Sequence, residues 1–292
     1  ILMVDTVYGP ARRFCDHELK NFGVEVTYYD PLVGAGISSL IRNNTRIIYL
    51  ESPGSQTFEM QDIPAIVKAA RAKKDIIVMG DNTWATPLYS NAFRLGMDVS
   101  IHAATKYING HSDLVMGVVT CKEKHFKQLN LTSYHLGLTP GADNCYLAQR
   151  GLRTMKVRMD QQFKNALNVA EWLKKQPLVE EVLYPALPGA PGHDAWKRDF
   201  GGGASLFGVA LKPAARNQIA AMFDGFEHFG MGYSWGGFES LAIITDPKKT
   251  RTVTKWPYSG LCLRLHVGLE HPDDLIKDLE AGFARLKTSK AA

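Results

Sequence analysis

Two residues that follow apolar segments carry the groups needed to bind one kind of cofactor. Lys106 lies shortly after the apolar segment 99–103, and Asp81 directly follows the segment 76–80. Pyridoxal phosphate requires an amine for its aldehyde and a carboxylate for its pyridinium nitrogen. Taken singly, each residue is more often a surface lysine or a helix-capping aspartate. Together they predict a pyridoxal-phosphate site.

The spacing of the two residues supports this prediction. Seventeen residues, 82–98, separate the two apolar segments, which suits a crossover between parallel strands. Parallel strands of an α/β sheet present their functional groups at their carboxyl ends. Because neighbouring strands lie about 4.8 Å apart, an aromatic ring across two strand ends can contact both Asp81 and Lys106.

Two hydroxyl-bearing residues are further candidates for this site. Thr105 directly precedes Lys106, and its hydroxyl could bind a phosphate group. Tyr8 precedes a Gly-Pro turn that would expose its ring at a strand end, where it could stack on a cofactor or transfer a proton. The alternatives are a β-branched strand residue for Thr105 and a half-buried core tyrosine for Tyr8.

Candidates for substrate binding lie in the second half of the chain. Arg264 lies in a strand-like segment, and a guanidinium can hold the carboxylate of an amino acid through two parallel hydrogen bonds. Ser234 and Trp235 lie in the glycine-rich segment 230–240, where the backbone can approach a ligand closely. The alternatives are a structural ion pair for Arg264 and an ordinary turn for 230–240.

The first part of the chain alternates strand-like and helix-like patterns, which predicts a largely parallel sheet. Asp62, followed by Pro64 early in the first turn, predicts a helix start. The apolar segments expected to form strands lie near 1–4, 24–29, 46–50, 76–80, 99–103 and 114–120.

The second part of the chain begins with a long helical pattern, 144–176, that ends before a proline. A last helix is predicted from His271, and its apolar face consists of Leu275, Leu279, Phe283 and Leu286. Strands are expected at 179–184, 205–211 and 261–267. We therefore expect two domains, a large domain over 1–152 and a smaller C-terminal α+β domain over 153–292.

Composition excludes several function classes. The 292 residues are 45% hydrophobic and carry a net charge of +5 from scattered lysines, which argues against nucleic-acid binding. No apolar stretch approaches the roughly 20 residues of a membrane span, and the first residues do not have the pattern of a signal segment. The four cysteines show no paired spacing and are expected to be free thiols in a reducing cytoplasm. The histidines form no metal-binding pattern, so no metal site is expected.

Three long motifs resemble one known family. They are 81–87 (DNTWATP), 104–113 (ATKYINGHSD) and 263–286 (LRLHVGLEHPDDLIKDLEAGFARL). They closely resemble the signature of the Cys/Met-metabolism family of pyridoxal-phosphate enzymes, and the resemblance extends over essentially the whole chain. It implies an α/β fold of the aspartate-aminotransferase type (fold type I), pyridoxal 5'-phosphate as cofactor, and a homodimer or homotetramer.

Details of the motifs resemble the carbon–sulfur β-lyases of this family. Ser55 and Trp235 stand where γ-synthases and γ-lyases usually carry Asn and Leu, and Ala103 replaces a common serine. The resemblance implies β-elimination from L-cystathionine to homocysteine, pyruvate and ammonia, with Ser234 and Trp235 shaping the pocket. Chemistry at the γ-carbon remains an alternative, and the preference among cystathionine, cystine and cysteine stays open.

The resemblance also gives roles to the other candidates. Lys106 would bind the cofactor's aldehyde and move the α-proton, and Asp81 would pair with the pyridinium nitrogen. Tyr8 would stack on the cofactor ring and take part in catalysis, and Thr105 would bind the phosphate. Arg264 would bind the carboxylate of a small sulfur-containing amino acid.

The start of the chain carries a further expectation. Ile1–Asp5 has the pattern of a strand interior, without an initiator methionine. Family members carry an additional N-terminal stretch with a phosphate-binding turn and with Tyr and Arg residues that reach a neighbour's phosphate. The resemblance therefore predicts weak cofactor binding by this chain, and a catalytically incompetent fragment is the second alternative.

Overall fold

Six strands form a sheet whose carboxyl edge carries the candidate residues of the first half of the chain. The structure is a computed structural model that describes residues 1–73 and 75–288. The strands occur in the spatial order β2-β1-β3-β4-β5-β6, and all neighbours are parallel except β5 and β6. Their bounds are Leu2–Val4 (β1), Thr27–Tyr29 (β2), Ile47–Glu51 (β3), Ile77–Asp81 (β4), Val99–Ala103 (β5) and Gly117–Cys121 (β6).

The predicted strand positions agree with this sheet, since each apolar segment overlaps one strand. The antiparallel pairing of β6 is compatible with a largely parallel sheet. Helices connect the strands: α1 (Gly9–Arg13), α2 (Ile63–Arg71), α3 (Thr86–Tyr89) and α4 (Glu123–His135), with a π-helical turn at Phe14–Leu19 and a 3-10 turn at Gly34–Leu40.

The predicted helix start at Asp62 is confirmed. The Asp62 carboxylate accepts a hydrogen bond from the Ala65 N–H at 3.2 Å, and Pro64 lies in the first turn of α2. One face of α2 is buried against the sheet through Ile63, Ile66 and Val67. This cap and this apolar stripe are local features, which explains why the sequence predicted the helix.

A 32-residue helix, α5 (Ala142–Leu173), leads to a second sheet. The sheet has the order β7-β8-β11-β10-β9, with antiparallel neighbours except β9 and β10. Its strands are β7 (Val179–Leu183), β8 (Leu206–Leu211), β9 (Gly230–Met231), β10 (Leu241–Thr245) and β11 (Cys262–His266). The remaining helices are α6 (His193–Asp199), α7 (Arg216–Phe223) and α8 (Pro272–Thr288).

Two hydrophobic clusters stabilise the fold. One joins β1–β4 to α2, and the other joins the second sheet to α5 and α8. The predicted apolar face of α8 is buried, with Leu275 and Leu279 at 0% exposure. The second cluster includes Trp84 and Tyr107 from the first half of the chain, so the two sheets share packing. The predicted boundary between 152 and 153 falls inside α5 and stays a prediction.

Among residues 1–73 and 75–288, no helix is long and apolar enough to cross a membrane.

Candidate active site

Lys106 lies in the tight turn that follows β5 and contacts a loop of the second sheet. Its backbone N–H donates to Ala103 O at 3.0 Å, and its carbonyl accepts from Gly110 N–H at 2.8 Å. Its Nζ donates to Ser234 Oγ at 2.9 Å and lies 5.2 Å from the centre of the Trp235 ring. The structure therefore brings the amine of Lys106 to a hydroxyl and an indole that lie more than a hundred residues further along the chain.

The environment of Lys106 favours its neutral amine. Burial lowers the pKa of Lys106, and the positive charge of Arg264 lowers it further. Asp81 opposes both effects, and the resulting pKa is about 8. An ordinary lysine titrates near 10.4, so a larger fraction of Lys106 is neutral at physiological pH.

Two carboxylates stand side by side at the ends of neighbouring strands. Asp81 ends β4 and is opposite Glu51, which ends β3. Asp81 Oδ1 accepts a hydrogen bond from the Thr83 N–H at 2.8 Å. Burial raises the pKa of Asp81, and the Thr83 hydroxyl and amide together with Lys106 only partly offset it. Burial and the charge of Asp81 raise the pKa of Glu51 well above its ordinary value.

Arg264 is a buried guanidinium whose hydrogen bonds go to carbonyl groups. It lies in β11, between β8 and β10, and is 8% exposed. Its Nη2 donates to Tyr233 O at 2.7 Å, and no ion pair to it occurs within the described part of the chain. Burial lowers its pKa to about 10. Among the described residues, no acidic side chain forms the structural ion pair that was the alternative role of Arg264. Its guanidinium therefore keeps its capacity to bind a carboxylate.

Tyr8 and Thr105 lie at the same edge of the first sheet but differ in accessibility. The Tyr8 side chain is 53% exposed, and its backbone N–H donates to Glu51 Oε2 at 2.8 Å. The Thr105 hydroxyl accepts from Met116 N–H at 2.9 Å and donates to Met116 O at 3.3 Å. Tyr8 is therefore not a core residue, whereas the Thr105 hydroxyl is already engaged. The roles assigned to both stay predictions.

Sequence reasoning did not single out Arg158, which lies behind the Lys106 turn. This side chain is 6% exposed, and its Nη2 donates to Tyr107 O at 2.9 Å and to Gly151 O at 2.8 Å. Its spacing from Met155 and Met159 places it on the buried face of α5. This helical spacing could have identified Arg158 from the sequence, because a charged residue on a buried helix face needs a specific partner.

Gly236 was also overlooked as an individual residue, although its segment was predicted to approach a ligand. Its φ of +83° lies in the left-handed region, which favours glycine. A Cβ at this position would lie 2.8 Å from the Lys106 carbonyl carbon. Only a residue without a side chain allows Ser234 and Trp235 to come this close to Lys106.

The side chains at this edge match the requirements of pyridoxal phosphate. The site has a half-buried amine of lowered pKa, a half-buried carboxylate of raised pKa and an unpaired guanidinium, with Tyr8 and Ser234 exposed beside them. An amine and an acid that lack strong partners of their own are the groups that the cofactor's aldehyde and ring nitrogen need. The residues present therefore fit this cofactor.

Comparison with known proteins identifies the family. The model of the family described as "Cys/Met metabolism PLP-dependent enzyme" matches residues 1–284. The chain belongs to this family of pyridoxal-phosphate-dependent enzymes.

Individual relatives agree with this assignment. The chain is 47% identical to a putative cystathionine beta-lyase of Rhizobium johnstonii, over 97% of this chain and 72% of the relative. It is 46% identical to the cystathionine beta-lyase MetC of Escherichia coli, over 98% of this chain and 74% of the relative. A crystal structure of cystathionine gamma synthase from Xanthomonas oryzae pv. oryzae matches with a TM-score of 0.91 and 28% identity, over 99% of this chain and 76% of that chain.

These comparisons confirm the predicted family, the fold class, the pyridoxal-phosphate cofactor and the assignment as an enzyme. They also bear out the predicted type, a carbon–sulfur β-lyase, because the most similar relatives named above carry that activity in their names. The roles of the individual site residues stay predictions.

Proposed function

We propose that this protein is a pyridoxal-phosphate-dependent lyase that breaks the Cβ–S bond of L-cystathionine, with homocysteine, pyruvate and ammonia as products. The observation that carries the proposal is the position of the Lys106 amine, which is hydrogen-bonded to Ser234 and faces the Trp235 ring. This serine-tryptophan pair is the feature that the family resemblance associates with β-elimination rather than γ-chemistry. The β-lyase relatives support the same substrate.

The proposed roles begin with binding. Asp81 would hold the cofactor's ring nitrogen, Lys106 its aldehyde and Thr105 its phosphate, with Tyr8 against the ring. When bound, pyridoxal phosphate supplies an aldehyde for the substrate's amine and a ring that accepts the electrons left at Cα. Arg264 orients the substrate, because a guanidinium with no acidic partner can hold the α-carboxylate through two hydrogen bonds.

The proton transfer is assigned to Lys106. Its pKa of about 8 makes a neutral amine available near physiological pH, and this amine takes the Cα proton of the substrate. The Ser234 hydroxyl, 2.9 Å from Nζ, orients the amine toward that proton. Loss of the Cα proton and breakage of the Cβ–S bond release homocysteine, and water converts the remaining fragment to pyruvate and ammonia.

Product analysis on L-cystathionine tests the proposal. The unchanged chain, supplied with pyridoxal phosphate, is expected to form pyruvate and homocysteine in equal amounts. Lys106→Ala should abolish pyruvate formation and the visible absorption of the bound cofactor, whereas Lys127→Ala, an exposed lysine in α4, should change neither. Formation of 2-oxobutyrate and cysteine would instead establish γ-elimination. Pyruvate formation that survives Lys106→Ala, or its absence from the unchanged chain, would refute the proposal.

We further propose that the protein works in the cytoplasm in methionine biosynthesis, as a homodimer or homotetramer. The product homocysteine is one methyl group short of methionine, which supports the pathway. Exposed apolar side chains on α4, Phe126 and Tyr134 among them, support self-association. Light scattering after size-exclusion chromatography measures the assembly directly, and a monomer at micromolar concentration would contradict it.

A further inference from the structure

A buried histidine, His266, lies behind the loop that carries Ser234 and Trp235. Its side chain is in β11, two residues after Arg264, and is 1% exposed. The Gly236 N–H approaches its Nε2 at 3.2 Å, and Gly237 O lies 3.1 Å from the same nitrogen. Ser205 Oγ lies 3.2 Å from its Nδ1. One ring nitrogen therefore contacts the loop and the other contacts the residue that precedes β8.

Further contacts connect Ser205 and His266 to Tyr107, the residue after Lys106. The Tyr107 hydroxyl lies 3.1 Å from Ser205 Oγ and accepts from the Ser205 N–H at 3.0 Å. The Tyr107 ring packs edge-on against the His266 ring, with 6.0 Å between the ring centres. The contacts thus form a closed path from the Lys106 backbone through Tyr107, Ser205 and His266 to the loop, and the loop returns to Lys106 Nζ through Ser234.

The ring of His266 is neutral in this environment. Burial lowers its pKa to about 4, and the positive charges of Arg264 and Lys106 contribute, whereas the carbonyl of Gly237 opposes them. A neutral imidazole has one donor and one acceptor nitrogen. In one tautomer Nε2 accepts from Gly236 N–H, and in the other it donates to Gly237 O. In both tautomers Nε2 binds the loop and Nδ1 binds Ser205.

The loop has little freedom at the point where His266 holds it. Gly236 lies against the Lys106 carbonyl carbon, and a Cβ on Gly237 would lie 2.2 Å from Ser112 Oγ. Ser234, which precedes these glycines, has an exposed side chain, whereas the half-buried Trp235 ring packs against Tyr107 with 5.5 Å between the ring centres. Arg264 Nη2 holds the loop before Ser234 through Tyr233 O at 2.7 Å, and Gln162 Nε2 donates to Gly237 O at 2.6 Å. His266 supplies the side-chain contact at Gly236, directly after Trp235.

We propose that His266 is a positioning residue of the active site, whose Nε2 holds the loop 234–237 so that Ser234 stays within hydrogen-bond distance of Lys106. The consequence for turnover rests on the proposed function, but the effect on the loop does not. The contact with the loop, rather than the contact with Ser205, is the one that matters for catalysis.

Two isosteric variants separate these contacts. Gln places its amide group at the position of Nε2, and Asn places its amide at the position of Nδ1. His266→Gln should keep the bond to Gly236 or Gly237 and retain kcat within about threefold of the unchanged chain. His266→Asn should keep the bond to Ser205, lose the bond to the loop and lower kcat about tenfold or more.

Hydrogen–deuterium exchange of the cofactor-free chain gives a readout that does not depend on activity. His266→Asn should accelerate exchange of the Gly236 amide, because the loop loses its contact with Nε2 in either tautomer, and His266→Gln should not. The matched control is His102→Asn, which changes a histidine that is 3% exposed and bonded to Ser100 Oγ at 3.0 Å. This control should leave exchange at Gly236 unchanged.

Equal exchange at Gly236 in His266→Asn and in the unchanged chain would overturn the proposal. So would equal loss of kcat in the Asn and Gln variants, because that result means that any change of the buried ring is harmful. If no variant and no unchanged chain forms pyruvate, the proposed function has failed, and the exchange of Gly236 still decides the role of His266. If His266→Asn does not fold, Ser205→Ala is the second test, and it should leave exchange at Gly236 within about threefold.

Discussion

The carboxylates at the two edges of the parallel sheet differ in how well their charges are paired. At the amino edge, the Asp98 side chain is 1% exposed and pairs with Arg71 at 2.7 Å and Lys122 at 3.1 Å. It also accepts from the Val78 N–H at 3.0 Å. Burial acts to raise the pKa of Asp98, but these donors outweigh burial and hold the pKa below its ordinary value. The negative charge of Asp98 is therefore fully paired within the protein.

At the carboxyl edge, Asp81 and Glu51 lie opposite each other and both have raised pKa values. The hydrogen bonds that favour ionised Asp81 come from Thr83, which is too little to offset burial. The comparison teaches that a desolvated carboxylate with weak partners retains the capacity to bind a ligand, whereas a fully paired one serves the fold. A charge with weak partners is therefore a better indicator of function than burial alone.

The largest expected effect comes from Asp81→Asn. Asn cannot balance a positive ring nitrogen, so we expect pyruvate formation to fall by about 10³-fold. The same change removes a carboxylate from beside Glu51, so the thermal-unfolding midpoint of the cofactor-free chain should not fall. Initial rates and thermal unfolding are measured on the same preparation. A variant that loses stability and keeps its activity would mean that Asp81 is a structural acid like Asp98.

The same comparison applies to two buried arginines. Arg251 is paired with Glu59 at 2.6 Å, and its side chain is 4% exposed, whereas Arg264 donates to carbonyl groups. Arg264→Lys should raise KM about tenfold, because lysine cannot form two parallel hydrogen bonds to a carboxylate. Arg251→Lys should lower stability and leave KM unchanged. KM is measured from initial rates over a range of L-cystathionine concentrations. An equal change of KM in the two variants would mean that Arg264 has no special role in substrate binding.

Much of the fold could be predicted because its signals are local. The apolar segments before Asp81 and Lys106 became strands, and the Asp62 cap became a helix start, since strand pattern and cap chemistry involve residues close in sequence. The helix α4 and the strand β10 were not predicted. Helix α4 has no buried residue and therefore no apolar stripe, and β10 follows a glycine-rich segment that hides its start.

The candidate site could be predicted in part for a similar reason. Lys106, Asp81 and Arg264 have side chains whose chemistry is recognisable at a strand end. The contact between Lys106 and Ser234 spans 128 residues and depends on packing of the second sheet against the first. The contacts of His266 with Gly236 and of Arg158 with Tyr107 span 30 and 51 residues, so no spacing in the sequence identifies these partners. Long-range contacts of this kind depend on the whole fold.

The smallest expected effect on activity comes from Asp98→Asn, and the pH dependence of its stability sharpens the comparison. Because the pKa of Asp98 is lowered in the folded chain, the unfolded chain binds this proton first as the pH falls. The stabilisation is complete above the unfolded pKa of about 3.9 and disappears as the pH falls through the lower folded value. Arg71 and Lys122 are 38% and 39% exposed, so solvent screens both pairs. We therefore expect the variant to lose about 2 kcal/mol at pH 7, less than for a fully buried pair.

Urea unfolding of the unchanged chain and of Asp98→Asn, measured between pH 3 and 7, tests this linkage. The stability difference should be constant from pH 7 to about pH 5 and should shrink toward zero below about pH 4, since a protonated Asp98 resembles Asn. Pyruvate formation at pH 7 should be unaffected wherever the variant is folded, because Asp98 lies at the edge opposite Lys106. A difference that persists unchanged at low pH would mean that the ionised form of Asp98 contributes nothing, and the contrast between the two edges would then rest on Asp81 alone.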